Sequence, residues 1–287
     1  MIISCSRRTD IPAFYSGWLM ERIRAGYCIV PNPLNPRQIS KLSLKPEDVT
    51  AIVFWTRYPE PLIKDLGTLN EIGYKYYFQI SINNYGKKYE KNNPNIKKVL
   101  KSVEHLTDKI GPRKIIWRYD PVILDDSLNY DFHIMNFSFL IKELKKSVKK
   151  IITSVITPYR KVLNKMKNLE KIESDKEKVH KLLQDFNSIA NTNSLQLEIC
   201  SYHTDLTSIG IKPAKCIDNE LLNALYGLNL SYRKDKSQRK ECDCTISKDI
   251  GQYNSCLMNC LYCYATTSNE TALRNYQKHT IKTETIY

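Results

Sequence analysis

No stretch of the 287-residue chain approaches the run of ~20 apolar residues that a membrane-spanning helix needs, so no membrane association is expected. Glycine is scarce, at 9 residues, and proline modest, at 12, which excludes a collagen-like or Gly/Pro-rich low-complexity chain. Neither an internal repeat nor a low-complexity segment is present. The amino terminus, Met1 to Arg8, places its charges after a short apolar start. A secretory signal has its basic end first, so a cytoplasmic location is expected. Acidic residues are in deficit, with 30 Asp+Glu against 44 Lys+Arg and a formal net charge of +14, a balance that suits a polyanionic partner such as nucleic acid. Much of the excess is lysine interleaved with Glu and Asp, as over Lys142 to Lys150 and Lys161 to Lys181, where a solvated helix face explains it equally well. With 42% hydrophobic and 26% charged residues, the remaining balance is that of an ordinary globular chain.

Cysteine is the residue in excess. Nine cysteines stand at positions 5, 28, 200, 216, 242, 244, 256, 260 and 263. A reducing compartment would not keep them as disulfides, which leaves metal or redox chemistry as the leading account.

Short β-rich runs alternate with longer amphipathic stretches. Strands are expected at Ile2–Ser4, Ala51–Trp55, Tyr76–Ile80, Lys114–Arg118, Ile151–Val155 and Leu195–Ile199. Helices are expected at about Ala13–Ala25, Pro59–Ile72, Asn95–Lys109, Tyr130–Val148, Tyr159–Asn191 with a break near Ile172–Asp175, and Asn219–Tyr226. Six βα units argue for parallel strands with right-handed crossovers. The expected fold is α/β: a partial (β/α)6 TIM-like barrel over 1–227, with a C-terminal cysteine-rich iron–sulfur segment, 228–287, folded back onto the barrel mouth.

Nearly every expected strand ends in chemically capable groups, and in a barrel these carboxyl ends converge. Arg7, Arg8, Arg57 and Arg118 suit bidentate recognition of carboxylate or phosphate. Asp10 and Asp120 are placed to orient those arginines or to hydrogen-bond a ribose, and His203 to act as an acid–base group. Taken singly, each residue is explained as well by a helix cap, a turn, an ion pair or a structural histidine.

Cys256, Cys260 and Cys263 are spaced C-x-x-x-C-x-x-C, so one short loop can wrap three corners of a compact cluster. An iron–sulfur cluster held by three cysteines retains an iron that can bind an exogenous ligand. None of the five histidines lies within a few residues of this loop, which weighs against a zinc site there. Cys200, Cys216, Cys242 and Cys244 could complete a second set of four ligands, for an auxiliary iron–sulfur cluster or a structural zinc. Small buried side chains are the alternative for Cys200 and Cys216.

The three-cysteine spacing resembles that of radical S-adenosylmethionine enzymes, and Tyr262-Cys263-Tyr264-Ala265 resembles the cluster loop of spore photoproduct lyase-like members. Longer motifs carry a second resemblance. Cys5 to Tyr15, Val53-Phe54-Trp55-Thr56, Trp117-Arg118-Tyr119-Asp120-Pro121, Cys216-Ile217-Asp218 and Asp249-Ile250-Gly251-Gln252-Tyr253 look like the bacterial and archaeal family catalogued as domain of unknown function 1848. That resemblance runs over essentially the whole chain and implies an iron–sulfur, radical-enzyme-like protein without naming a substrate. In the wider radical superfamily the cysteine loop follows the first strand, whereas here it lies at the carboxyl end, as in a permuted architecture. Thr56-Arg57 stands where a Gly-Gly-Glu-type segment would grip the methionine amino group.

The resemblances imply an enzyme whose [4Fe-4S] cluster, held by Cys256, Cys260 and Cys263 beside Tyr262, reduces S-adenosylmethionine and so generates a 5′-deoxyadenosyl radical. An electron donor such as ferredoxin or flavodoxin would be its partner, and nucleic acid or a nucleotide the first substrate class to try. Two other functions are open: a non-catalytic redox sensor or nucleic-acid-binding module, and a zinc-supported barrel hydrolase using Asp10, Asp120 or His203.

Overall fold

A computed structural model describes residues 1–157, 159–166 and 175–287. In chain order its elements begin with β1 (Ile2–Cys5), α1 (Ile11–Phe14), α2 (Ser16–Ala25), β2 (Tyr27–Pro31), β3 (Ile39–Ser43), β4 (Ala51–Thr56), α3 (Glu60–Ile63) and α4 (Leu66–Ile72). There follow β5 (Tyr76–Ser81), α5 (Ile96–Ile110), β6 (Ile115–Val122), α6 (Tyr130–Leu144), β7 (Lys150–Val155), α7 (Arg160–Lys165) and α8 (Lys176–Thr192). The last are β8 (Gln196–Ile199), β9 (Lys212–Pro213), α9 (Asn219–Tyr226), β10 (Lys248–Asp249) and α10 (Asn269–Gln277). The chain is therefore mixed α/β, and all six expected strands are present. The break expected near Ile172–Asp175 lies, at 172–174, outside the described residues. Among the described residues, no helix is long and apolar enough to cross a membrane.

Two compact units divide these elements: 1–79 with 87–109 and 247–287, and 80–86 with 110–246. Within each unit the sheet strands pair in parallel, while β2 and β3 pair as a separate antiparallel ribbon. In the first unit the strand order is β10-β1-β4-β5, and in the second β6-β7-β8-β9. Among the described residues neither series closes on itself, so the parallel α/β character is seen and a closed barrel is not.

In the first unit, Ala51 to Phe54 and Tyr76 to Phe78 are buried without interruption. Such unbroken apolar runs belong to parallel strands covered on both faces. Parallel pairing sets Cys5 opposite Phe54 and Ser4 opposite Asp249. The segments that leave β1, β4 and β10 therefore emerge at one edge, bringing Ser6–Asp10, Arg57 and Asp249–Gly251 into reach of one another.

In the second unit, Arg118 pairs with Ile152 in register, Tyr119 with Thr153, and Thr153 in turn with Ile199. One edge therefore carries Arg118, Asp120, Ser154 and Cys200. The core beneath is aromatic: Phe137 of α6 stacks on Phe186 of α8 with centroids 4.1 Å apart and on Trp117 at 5.2 Å. His133 is sealed within it. Its Nε2 lies 2.7 Å from the Ile123 carbonyl, which can only accept, so Nδ1 is left to accept from the Tyr119 hydroxyl at 2.8 Å.

Burial lowers the His133 pKa to about 4, outweighing the hydrogen bond to Ile123 and the field of Asp125. Below its ordinary value near 6.5 the unfolded chain takes up a proton that the folded chain refuses. The contribution of this group is thus flat above pH ~6.5 and falls as pH drops from there toward 4, by on the order of 3 kcal/mol. Urea unfolding of the wild type and His133→Gln at pH 7 and pH 4.5 should show a larger acid loss in the wild type. Equal losses would reject a buried neutral imidazole.

Candidate functional site

In the first unit, the cysteine loop is closed at its base by the Asn254 N–H donating to the Ala265 carbonyl at 2.9 Å. Asn254 and Asn259 take left-handed backbone with φ 59° and 51°, a conformation that asparagine tolerates better than most residues. These two turns bend the eight residues from Cys256 to Cys263 back on themselves. The Leu261 N–H donates to the Tyr89 carbonyl at 2.8 Å, and the Asn92 N–H to the Met258 carbonyl at 3.1 Å. Glu90 and Cys260 form an antiparallel bridge between the two segments. Tyr15 fixes the loop's entry by donating its hydroxyl to the Ser255 carbonyl at 2.7 Å.

Cys260 is buried, and Cys256 and Cys263 are half-buried. Burial pushes the Cys260 thiol up to about 12, with Arg57 pulling the other way, and holds Cys256 well above the ordinary thiol range. Asp10 and then the neighbouring Cys263 and Cys260 add to the rise at Cys256. The Ala265 N–H donates to the Cys263 sulfur at 3.3 Å.

Behind the loop lies a closed triangle of side chains. Arg57 Nη1 pairs with Glu90 Oε1 at 2.6 Å, Arg57 Nη2 donates to the Tyr262 hydroxyl at 2.6 Å, and that hydroxyl donates to Glu90. Asp10 links this triangle to β1 by accepting the Arg57 N–H at 2.7 Å, and it caps α1 through the Ala13 N–H at 3.1 Å. Burial raises its carboxyl to about 6 against the hydrogen bonds from Thr56, Arg57 and Ala13.

Arg7 lies over Trp55 and reaches Ser247, and Arg8 lies over Tyr253 and donates to the Gly251 carbonyl. Both are backed by Asp249, which accepts from the Ser4 and Ser6 hydroxyls and from the N–H groups of Arg7 and Gly251. The sequence reading missed Glu90 altogether and gave Asp249 no role. Asp249 opens the Asp249–Tyr253 motif, whereas Glu90 has no local signal.

The second unit holds the other candidates. Arg118 is buried, pairs with Asp120 and directs Nη1 at the Cys216 sulfur at 2.9 Å. Asp120 also accepts from the Ser154 hydroxyl. Cys200 and Cys216 sit 3.5 Å apart, sulfur to sulfur. Asp218 caps α9 through the N–H groups of Glu220 and Leu221, which fixes Cys216 just ahead of it. Cys244 accepts the Ile217 N–H at 3.5 Å, and Cys242 lies two residues away on the same loop. His203 stands apart from this group, with its side chain 82% exposed and Nδ1 3.3 Å from Glu241.

Residues 2–265 match the family described as domain of unknown function (DUF1848). The chain belongs to this family. No curated protein matches the chain. The match to DUF1848 ends at Ala265, the residue that closes the cysteine loop, so the whole loop lies inside it. Among the described residues, no group of three or more His, Cys, Asp or Glu side chains stands ready-made to hold a metal ion. The chemistry of the loop's donors nevertheless suits an iron–sulfur cluster. It offers three thiols from one turn, a backbone N–H aimed at one sulfur and a guanidinium whose field favours the thiolate of another.

Proposed function

We propose that this protein is an iron–sulfur enzyme of the radical S-adenosylmethionine type, with Cys256, Cys260 and Cys263 as the ligands of a [4Fe-4S] cluster and nucleic acid or a nucleotide as substrate. The observation that carries this reading is the loop closed between Asn254 and Ala265, which gathers Cys256, Cys260 and Cys263 within eight residues. When bound, the cluster and S-adenosylmethionine supply one-electron reductive chemistry and hydrogen-atom abstraction, with a ferredoxin- or flavodoxin-class donor providing the electron.

The chain's own residues do the placing. The Ala265 N–H supports one ligand sulfur, and Arg57, clamped by Glu90 and Tyr262, fixes the loop against the unit and keeps water from its buried side. Arg7 and Arg8, spread over aromatic faces at the sheet edge, suit a carboxylate or phosphate group. The net charge of +14 favours a polyanionic substrate.

Anaerobic purification with iron and sulfide analysis, then dithionite reduction and electron paramagnetic resonance with and without S-adenosylmethionine, tests the reading. A brown protein whose reduced signal changes with S-adenosylmethionine, and whose iron is lost in Cys260→Ala, is the expected result. A signal indifferent to that molecule would turn the reading to a redox sensor or nucleic-acid-binding module. A colourless protein free of iron would end it.

A further inference from the structure

Four cysteines in the second unit take no part in the proposed cluster loop. The thiol of Cys216 donates to Cys200 at 3.5 Å, Cys244 accepts the N–H of Ile217, next to Cys216, at 3.5 Å, and Cys244 lies within interaction range of both Cys216 and Cys242. All four are buried, at 8, 2, 2 and 6% exposure for Cys200, Cys216, Cys244 and Cys242. Single buried cysteines are common packing residues; four gathered in series from three separate segments are not explained by packing.

Their environment is built for sulfur that carries charge. Arg118 Nη1 donates to Cys216 at 2.9 Å and the Ile217 N–H to Cys244 at 3.5 Å. Arg239, which donates to the Thr157 hydroxyl at 3.1 Å, lies within electrostatic range of Cys200 and Cys242. Such N–H donors and cations are the outer support that thiolate–metal sites use.

The spacing distinguishes one ion from a cluster. Ligands at the zinc–sulfur distance of ~2.3 Å in a tetrahedron stand about 3.8 Å from one another. Thiolates on separate irons of a cluster stand further apart, because each binds a different metal atom. The 3.5 Å between Cys200 and Cys216 matches two corners of one ion.

We propose that Cys200, Cys216, Cys242 and Cys244 form a tetrahedral thiolate site for a single structural zinc ion. The four thiols follow one another in series, so binding would turn them toward one centre and release their four protons to solvent. The bound set carries two negative charges, beside which lie the guanidiniums of Arg118, itself paired with Asp120, and of Arg239. Its effect is to clip the end of β8, the start of α9 and the 233–246 loop together. On this assignment Arg118 serves the zinc site as a positioning residue.

Metal analysis of the purified full chain tests it. Wild type is expected to carry about one zinc per chain. The Cys256→Ser/Cys260→Ser/Cys263→Ser variant should keep that zinc, and Cys242→Ser/Cys244→Ser should lose it while retaining any iron. A measurement on the wild type alone guards against variants that do not fold: mass-spectrometric mapping of iodoacetamide labelling before and after a zinc chelator. Cys200, Cys216, Cys242 and Cys244 should become labelled only after chelation, with release of zinc. Wild type free of zinc, labelling indifferent to chelator, zinc that follows the Cys256–Cys263 loop, or iron and sulfide that follow Cys242 and Cys244 would each overturn the assignment.

Discussion

Glu90→Gln should destabilise the first unit by about 3–5 kcal/mol, a far larger loss than the substitution of a surface acid brings. Glu90 and Arg57 expose only 6% and 14% of their side chains, so solvent does not screen their 2.6 Å contact as it screens a surface pair. Glutamine keeps the shape and removes the charge, which leaves a buried guanidinium without its counter-ion. Tyr262→Phe should cost less, about 1.5–3 kcal/mol, because it removes hydrogen bonds to charged partners while leaving the ion pair in place. The double replacement Arg57→Met with Glu90→Leu should be markedly milder than either single change to an uncharged residue, since it removes both buried charges together. Urea unfolding of the four proteins separates these cases. A Glu90→Gln loss below ~1 kcal/mol would show that the pair contributes no more than an exposed one. Because the Glu90 carboxylate holds Tyr262, which stands between Cys260 and Cys263, the same variant should retain less iron than wild type after anaerobic purification.

Why Glu90 escaped the sequence reading is physical. It stands among Lys87, Lys88 and Lys91, where one acid looks like solvated surface, and its partner Tyr262 is 172 residues away. The cysteine loop was legible because its chemistry is local: three thiols within eight residues imply proximity whatever the fold. Six strands were legible for a related reason, since parallel strands covered on both faces must be unbroken apolar runs, as Ile52 to Phe54 and Ile151 to Ile152 are. The β2–β3 ribbon was not. In β3, Ile39 to Lys41 are exposed and leave no pattern, and in β2 the buried alternation is only Cys28 and Val30, too short to read as a strand by itself. The two-residue strands β9 and β10 owe their state to the neighbours they pair with. The stretch read as one helix from Ala13 to Ala25 is two, because the helix capped by Asp10 ends at Tyr15 and a new one begins at Ser16. Arg118 was legible as a strand-end residue of chemical interest, yet its contact with Cys216 spans 98 positions and only the fold reveals it.

Gly251→Ala should be the most damaging single methyl in the first unit. A Cβ at this position would fall 1.9 Å from the Ser6 Oγ and 2.6 Å from the Ser6 Cβ. Its backbone lies outside the positive-φ set, so the close approach to Ser6 explains the glycine without any appeal to conformation. Ser6 cannot simply rotate away, because its hydroxyl donates to Asp249 at 2.6 Å and accepts the Arg8 N–H at 2.9 Å. Relief must come from separating the 249–252 segment from the end of β1, which breaks the set of four donors that converge on Asp249. Overpacking of this kind costs about 1–3 kcal/mol, and the lost hydrogen bonds should carry the total to the top of that range or beyond it. The strain also propagates along the chain. Ser255, next to Cys256, is tied to Gln252 at 2.7 Å, so iron content should fall together with stability. Ser6→Gly supplies the discriminating partner: it removes the obstructing side chain, and the double variant should regain part of the stability that Gly251→Ala loses, even though Ser6→Gly alone is destabilising. Thermal unfolding and iron analysis of the two single variants and the double one form a complete cycle. Additive losses, or a Gly251→Ala protein that melts with the wild type, would show that the contact between Gly251 and Ser6 does not position the cysteine loop.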